Sequence, residues 1–192
     1  MKRRYKLILI IVFAISIILV IYFLFFKEKK IYVSIGKSNK LLTYTFEDLI
    51  SNNKEYIYKN LKNGDEILGN VIDKIKKNQQ NINYYLKNAD IITIFLDGSE
   101  LNNYKKLNNK IIENYLNEIE TLFQLLHKKN NMIYCINIKN EQYINNYIKQ
   151  LAKNYKINYY EVKNTLISNH KIYLTHSENI QIYNIIKKGI VN

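Results

Sequence analysis

Proline and tryptophan are absent from the 192 residues, cysteine occurs once and glycine five times. A single cysteine excludes an internal disulfide framework. Three histidines and that one cysteine leave no cluster at zinc-ligand spacing, so metal chemistry is not expected. Acidic residues are also scarce, 16 against 29 Lys+Arg, for a formal net charge of +13. Hydrophobic residues nonetheless make up 47%, which in a chain of this length suffices for one domain with a real core. Asn, Ile, Lys and Tyr run evenly along the chain as a compositional background. Residues that depart from it carry more information.

Charge is missing altogether from Leu7 to Phe26, where Ser16 and Tyr22 alone carry a polar side-chain atom. These twenty residues, at about 1.5 Å each in a helix, match a hydrocarbon core of about 30 Å. The competing reading is a cleaved signal peptide, whose apolar stretch is only about 7–15 residues and ends in small residues. This run is longer and ends in Phe-Leu-Phe-Phe, so an uncleaved transmembrane helix is expected, with residues 1–30 as anchor and basic linker. Lys2, Arg3, Arg4 and Lys6 precede it and Lys27, Lys29 and Lys30 follow, offset by Glu28. The positive-inside rule then favours a cytoplasmic N-terminus and a domain outside the cytoplasm. Residues 1–30 carry net +6, leaving +7 on the rest. That excess suits an anionic surface such as lipid head groups or wall polymers, or reflects scattered lysines. No dense basic stripe or binding motif points to nucleic acid.

From residue 31 to 192, apolar β-rich runs alternate with segments of helical period, the pattern of a parallel sheet flanked by helices. Strands are expected at Ile31–Ile35, Ile91–Leu96, Met132–Ile138 and Ile157–Val162. Helices are expected at Phe46–Leu61, with Leu49, Ile50, Ile57 and Leu61 on its stripe, and at Ile67–Ile75, Ile111–His127, Tyr143–Tyr155 and Glu178–Lys188. Gly36 and Gly98 directly follow strands and Gly64 precedes a helix. In such a sheet the loops at the carboxyl ends of strands build the ligand crevice. Glycine also ends strands and starts turns for purely structural reasons.

Gly36-Lys37-Ser38 has two readings. As the tail of a phosphate-binding loop it would need its first glycine at position 31, which is an isoleucine in a strand. The other reading joins four segments. Ile31-Tyr-Val-Ser-Ile-Gly-Lys-Ser38 resembles the first block of the SGNH (GDSL-type) hydrolases, a strand running into Gly-Asp-Ser. Asn63-Gly64 is similar to the second block, Ala89–Leu101 to the third and Thr175–Ile186 to the last, where the catalytic His precedes the terminal helix.

The resemblance implies a three-layer α/β sandwich with a mostly parallel sheet over residues 31–192. It implies Ser38 as nucleophile and His176 as general base, with the Ser38 and Gly64 N–H groups and Ser99 as oxyanion donors. No cofactor is implied, and the substrates would be esters or acyl groups on lipids, glycans or small molecules. The chain departs from the family pattern at Lys37, Ser99 and Glu100, at Tyr173 where the orienting carboxylate should stand, and at Ser177 and Gln181. Loss of the orienting carboxylate lowers turnover by roughly ten-thousandfold in serine proteases. Loss of one oxyanion donor costs about 10²–10³. Two functions therefore stay open: a serine ester hydrolase, or a non-catalytic SGNH-fold domain that binds at the envelope.

Simpler roles exist for each residue. Ser38 fits a turn or a helix cap, and His176 fits a loop before a helix capped by Ser177. His127 reads as a solvated residue at a helix end, Cys135 as a small buried thiol, and His170 has no motif around it. Asp65, Glu66, Asp97 and Glu100 could cluster near the site.

Overall fold

A computed structural model describes residues 12–18, 20, 29–36, 44–62, 66–98, 101, 109–127, 132–138, 141–168 and 171–191. Strands β1 (Lys30–Ile35), β2 (Tyr56–Asn60), β3 (Ile91–Leu96), β4 (Met132–Ile138) and β5 (Asn158–Val162) form one parallel sheet in the order β2-β1-β3-β4-β5. A separate antiparallel hairpin joins β6 (Thr165–Ser168) to β7 (Lys171–Leu174). The helices are α1 (Phe46–Ser51), α2 (Leu68–Lys76), α3 (Ile82–Asn88), α4 (Asn109–Leu126), α5 (Gln142–Asn154) and α6 (His176–Val191).

The strand order dictates the layers. The chain turns one way from β1 to β2 and the other way through β3, β4 and β5. Right-handed crossovers then force α1 onto one face and α2–α5 onto the opposite face. The two cores obey this. Val33, Ile92, Ile94 and Cys135 face Val71, Leu86, Ile119, Phe123 and Ile148 from α2–α5. On the other face Tyr32, Phe95, Tyr134 and Ile136 meet Phe46 and Ile50 of α1 and Ile182 and Ile186 of α6. Helix α4 shows why its sequence coils: Ile112, Tyr115, Leu116, Ile119, Leu122, Phe123 and Leu126 recur at intervals of three and four and are all buried. Each fully buried side chain of this kind contributes roughly 1.5–3 kcal/mol.

The helix expected at Phe46–Leu61 is corrected to a short helix ending at Ser51 and an edge strand, β2. Asn52 and Asn53 close α1, and the Tyr56 amide bonds back to the Asn53 carbonyl before the strand begins. Tyr-Ile-Tyr then pairs with β1, leaving Ile57 44% exposed on the sheet's edge rather than on a helix stripe. Helix α3 and the β6–β7 hairpin were not expected from the sequence. Cys135 lies buried in β4, and burial pushes its thiol pKa up. His127 is exposed just past α4, as its position suggested, and His170 lies outside the described residues.

Of Leu7–Phe26, residues 12–18 and 20 are described. They are helical, and the side chains of Val12, Phe13, Ile15, Ile17, Ile18 and Val20 are exposed. Among the described residues no helix is long and apolar enough to cross a membrane.

Candidate active site

The strand order reverses between β1 and β3, so their carboxyl ends flank the crevice where open α/β sheets bind ligands. The sequence places glycine at both. Gly36, directly after β1, has φ +88°, and a Cβ there would lie 2.8 Å from the Phe95 carbonyl oxygen. Only glycine lets the chain leave β1 this close to the backbone of β3. Gly98, after β3, has φ +68°, and its carbonyl accepts from the Leu101 amide at 3.0 Å. At the end of β2, Asn60 Oδ1 accepts from the Lys62 amide at 3.2 Å while its Nδ2 donates to the Lys62 carbonyl at 2.8 Å. Ser34 Oγ on β1 donates to the same Asn60 Oδ1 at 3.1 Å. Asn60 thus fixes the chain as it leaves β2.

His176 opens α6 and is exposed, with its ring edge-on to Tyr44 at 5.5 Å between centroids. The helix N-terminus beneath it is tied from three sides. Thr175 caps it: Thr175 Oγ1 accepts from the Glu178 amide at 3.2 Å, and the Thr175 carbonyl from the Asn179 amide at 3.0 Å. The cap assigned to Ser177 is therefore corrected to Thr175, because the helix begins two residues earlier than Glu178. Asn179 Oδ1 accepts from the Phe46 amide at 2.9 Å, joining α6 to the first turn of α1. Glu178, only 1% exposed, accepts from Tyr160 Oη at 2.7 Å and from the Lys163 and Asn164 amides at 3.1 and 2.9 Å. Burial and the Glu178 carboxylate together push the Tyr160 phenol pKa up.

Of the site residues expected from sequence, His176 lies at the carboxyl-edge end of α6, while Ser38, Gly64 and Ser99 fall outside the described residues. Lys37 and Glu100 do too. Gly36, two residues before Ser38, and Gly98, one before Ser99, lie at the ends of adjacent strands. Tyr173 lies in β7, paired with Leu166. Among the described residues no carboxylate bonds to the His176 imidazole, since Glu178 turns instead to the β5–β6 connection. Of the suggested acidic cluster, Glu66 is bound to Lys74 on α2, Asp97 follows β3, and Asp65 lies outside the described residues. Sequence reasoning missed Glu178 and Asn179 as anchors of the helix that presents His176. The spacing Thr175-x-x-Glu178, a helix-start signature, was the signal that could have found the first.

No protein-family model matches the chain, and none of the curated proteins compared matches it either. Solved structures do. The crystal structure of TesA superposes with a TM-score of 0.55 at 10% identity, over 83% of this chain and 97% of that one. A carbohydrate esterase family 2 enzyme with a carbohydrate-binding domain, from Corynascus thermopiles (Myceliophthora fergusii), gives 0.54 at 11% identity, over 85% of this chain and 66% of that one. Both are SGNH-type hydrolases. The five-stranded parallel sheet with helices on both faces thus belongs to a known architecture: this chain has the SGNH-hydrolase fold.

Proposed function

We infer that the protein is a membrane-anchored, extracytoplasmic hydrolase of esters or acyl groups. Ser38 is the nucleophile and His176 the general base. The observation that carries this is the placement of His176 on an anchored helix N-terminus at the edge of the sheet where β1 delivers Gly36, two residues from Ser38. Ser38 Oγ attacks the acyl carbon as the imidazole takes its proton. The tetrahedral oxyanion is met by the Ser38 and Gly64 N–H groups and the Ser99 hydroxyl. Collapse expels the alcohol, which leaves with the proton from His176. Water, deprotonated by the same imidazole, then releases the acid and restores Ser38. Six exposed apolar side chains within residues 12–20 support the anchor, since an aqueous helix would hide such a face.

A second reading, a catalytically silent SGNH-fold domain that binds at the envelope, is favoured by the lack of a carboxylate on His176 among the described residues. Labelling of the detergent-solubilised chain with a fluorophosphonate probe separates the two, beside Ser38→Ala and His176→Ala. Labelling that Ser38→Ala abolishes and His176→Ala strongly slows supports the hydrolase. A folded chain that stays unlabelled overturns it in favour of the binding domain.

A further inference from the structure

The lysines of the described domain favour one edge of the sheet, with Lys62, Lys110 and Lys163 at the other, and the fold makes the bias consequential. Parallel strands all begin at one edge of the sheet, and the connecting helices run back to end there. Helix α6 ends there as well: Gly189 packs beside Met132 and Tyr134 at the start of β4. Lys29, Lys54, Lys87, Lys153, Lys156 and Lys188 sit at this edge, all exposed. The acids there are Glu55 and Asp90, and the Asp90 carboxylate accepts from the Ile31 amide at 2.7 Å. At the opposite edge, around the crevice, stand Glu47, Asp48, Glu66, Asp97, Glu141 and Glu178. Lysine at helix C-termini and acid at N-termini is favoured by the helix dipole, so the charge of each edge follows from the direction of the helices.

The basic edge is also the edge joined to the anchor. Three residues, four Cα-to-Cα steps, separate Phe26, the last of the apolar run, from Lys30, the first of β1. Fully extended, they reach about 14 Å. The six residues of β1 span about 20 Å. A tether shorter than the strand cannot let the domain invert, so the crevice cannot face the bilayer that holds the anchor.

We propose that the lysine-bearing edge docks on anionic phospholipid head groups of the anchoring membrane and holds the crevice outward. The substrate class follows: acyl groups carried by soluble or polymer-borne molecules beyond the membrane surface, not acyl chains of its own bilayer lipids. This rests on the anchor and the site of the proposed function. The edge commits to lipid rather than to a wall polymer because the tether keeps it within reach of the head groups.

The test uses the full chain reconstituted in phosphatidylcholine vesicles with or without phosphatidylglycerol. Cys135 is buried, so a fluorophore attaches only at an introduced thiol. Asn154→Cys marks the lysine edge and Lys163→Cys the crevice edge, separated by β5, five residues or about 17 Å. With a head-group quencher and phosphatidylglycerol present, the Asn154 probe is expected to be quenched several-fold more than the Lys163 probe. The contrast should shrink in pure phosphatidylcholine, at high salt, and in a Lys54→Gln/Lys153→Gln/Lys156→Gln chain. Equal quenching at the two positions, or a contrast indifferent to phosphatidylglycerol, in a chain that resists alkaline carbonate extraction, overturns the docking and leaves the anchor standing. Release of the chain by carbonate sinks the anchor and the docking with it. A lysine edge that retains DNA in preference to vesicles overturns it in favour of nucleic acid.

Discussion

Replacing Glu178 by alanine removes the acceptor of the Lys163 and Asn164 amides and of the Asn164 side-chain amide, and costs the Tyr160 hydroxyl its charged acceptor, leaving it Gln181 Oε1 at 2.9 Å. A buried donor left without an acceptor costs about 1–3 kcal/mol. Lys163 and Asn164 are exposed residues whose amides can recover water, so each counts at the lower end. The expected loss is about 3 kcal/mol. Glu178→Gln keeps an acceptor for the two amides. Its new amide group meets Tyr160 Oη, which can turn its hydrogen away and accept, so the cost falls to about 1 kcal/mol. With a urea slope of about 2 kcal/mol/M, the alanine variant should melt about 1.5 M earlier and the glutamine variant about 0.5 M earlier. Equilibrium unfolding in mild detergent reads both, with unchanged slopes as the check on two-state behaviour. Because Glu178 holds the helix that presents His176, fluorophosphonate labelling should slow in the alanine variant even where it remains folded. An alanine variant within about 0.5 M of the parent, or a glutamine variant as damaged as alanine, would refute the assignment of Glu178 as the tie between α6 and the β5–β6 connection.

Two of the three glycines with crowded Cβ positions, Gly36 and Gly69, should behave oppositely. Gly36→Ala forces a side chain onto the Phe95 carbonyl in a left-handed conformation and should cost about 2–4 kcal/mol by urea unfolding, with labelling of Ser38 lost. Gly69→Ala, whose nearest neighbour is the flexible end of Glu118, should be neutral or gain up to about 1 kcal/mol within α2. Burial pushes the Tyr159 phenol pKa up to about 12, above its ordinary 10. Stability should hold below pH 10 and then fall between pH 10 and 12, as the unfolded chain ionises and the folded one does not; urea midpoints across that range check this. Cys135 should resist an aromatic disulfide reagent in the native chain and react at the rate of global unfolding, while fast reaction would contradict its burial.

Elements buried on both faces were the legible ones. Ile91–Leu96 and Met132–Ile138 have no polar face to confuse with another period, and the structure returns them with the same ends. Helix α4 was legible because its stripe is long. What misled was Phe46–Leu61, where six helical residues and five residues of edge strand both offer isoleucines at helical intervals, and only Asn52-Asn53 marks the break. Helix α3 hid behind a turn in which Asn78, Gln80 and Asn81 all take left-handed backbone, a geometry asparagine tolerates but does not announce. The hairpin β6–β7 lies outside the main sheet and buries too little to show a pattern. At the site, the histidine and the two strand-end glycines were readable as motif. The carboxylate and amide that anchor the helix were not, because their partners lie 14 to 133 residues away along the chain.

The bond from the Phe46 amide to Asn179 spans nearly the whole domain in sequence, and it connects α1 to the helix that carries His176. Loop closure over such a separation comes late in folding, after the local pairings that the strands and crossover helices reward. The histidine is also synthesised near the end of the chain. A nascent molecule can therefore form its sheet before the histidine-bearing helix is in place, and the carboxyl edge of the sheet is completed only when that helix docks. On the proposed hydrolase reading, that order of assembly withholds the base from Ser38 until the domain has closed.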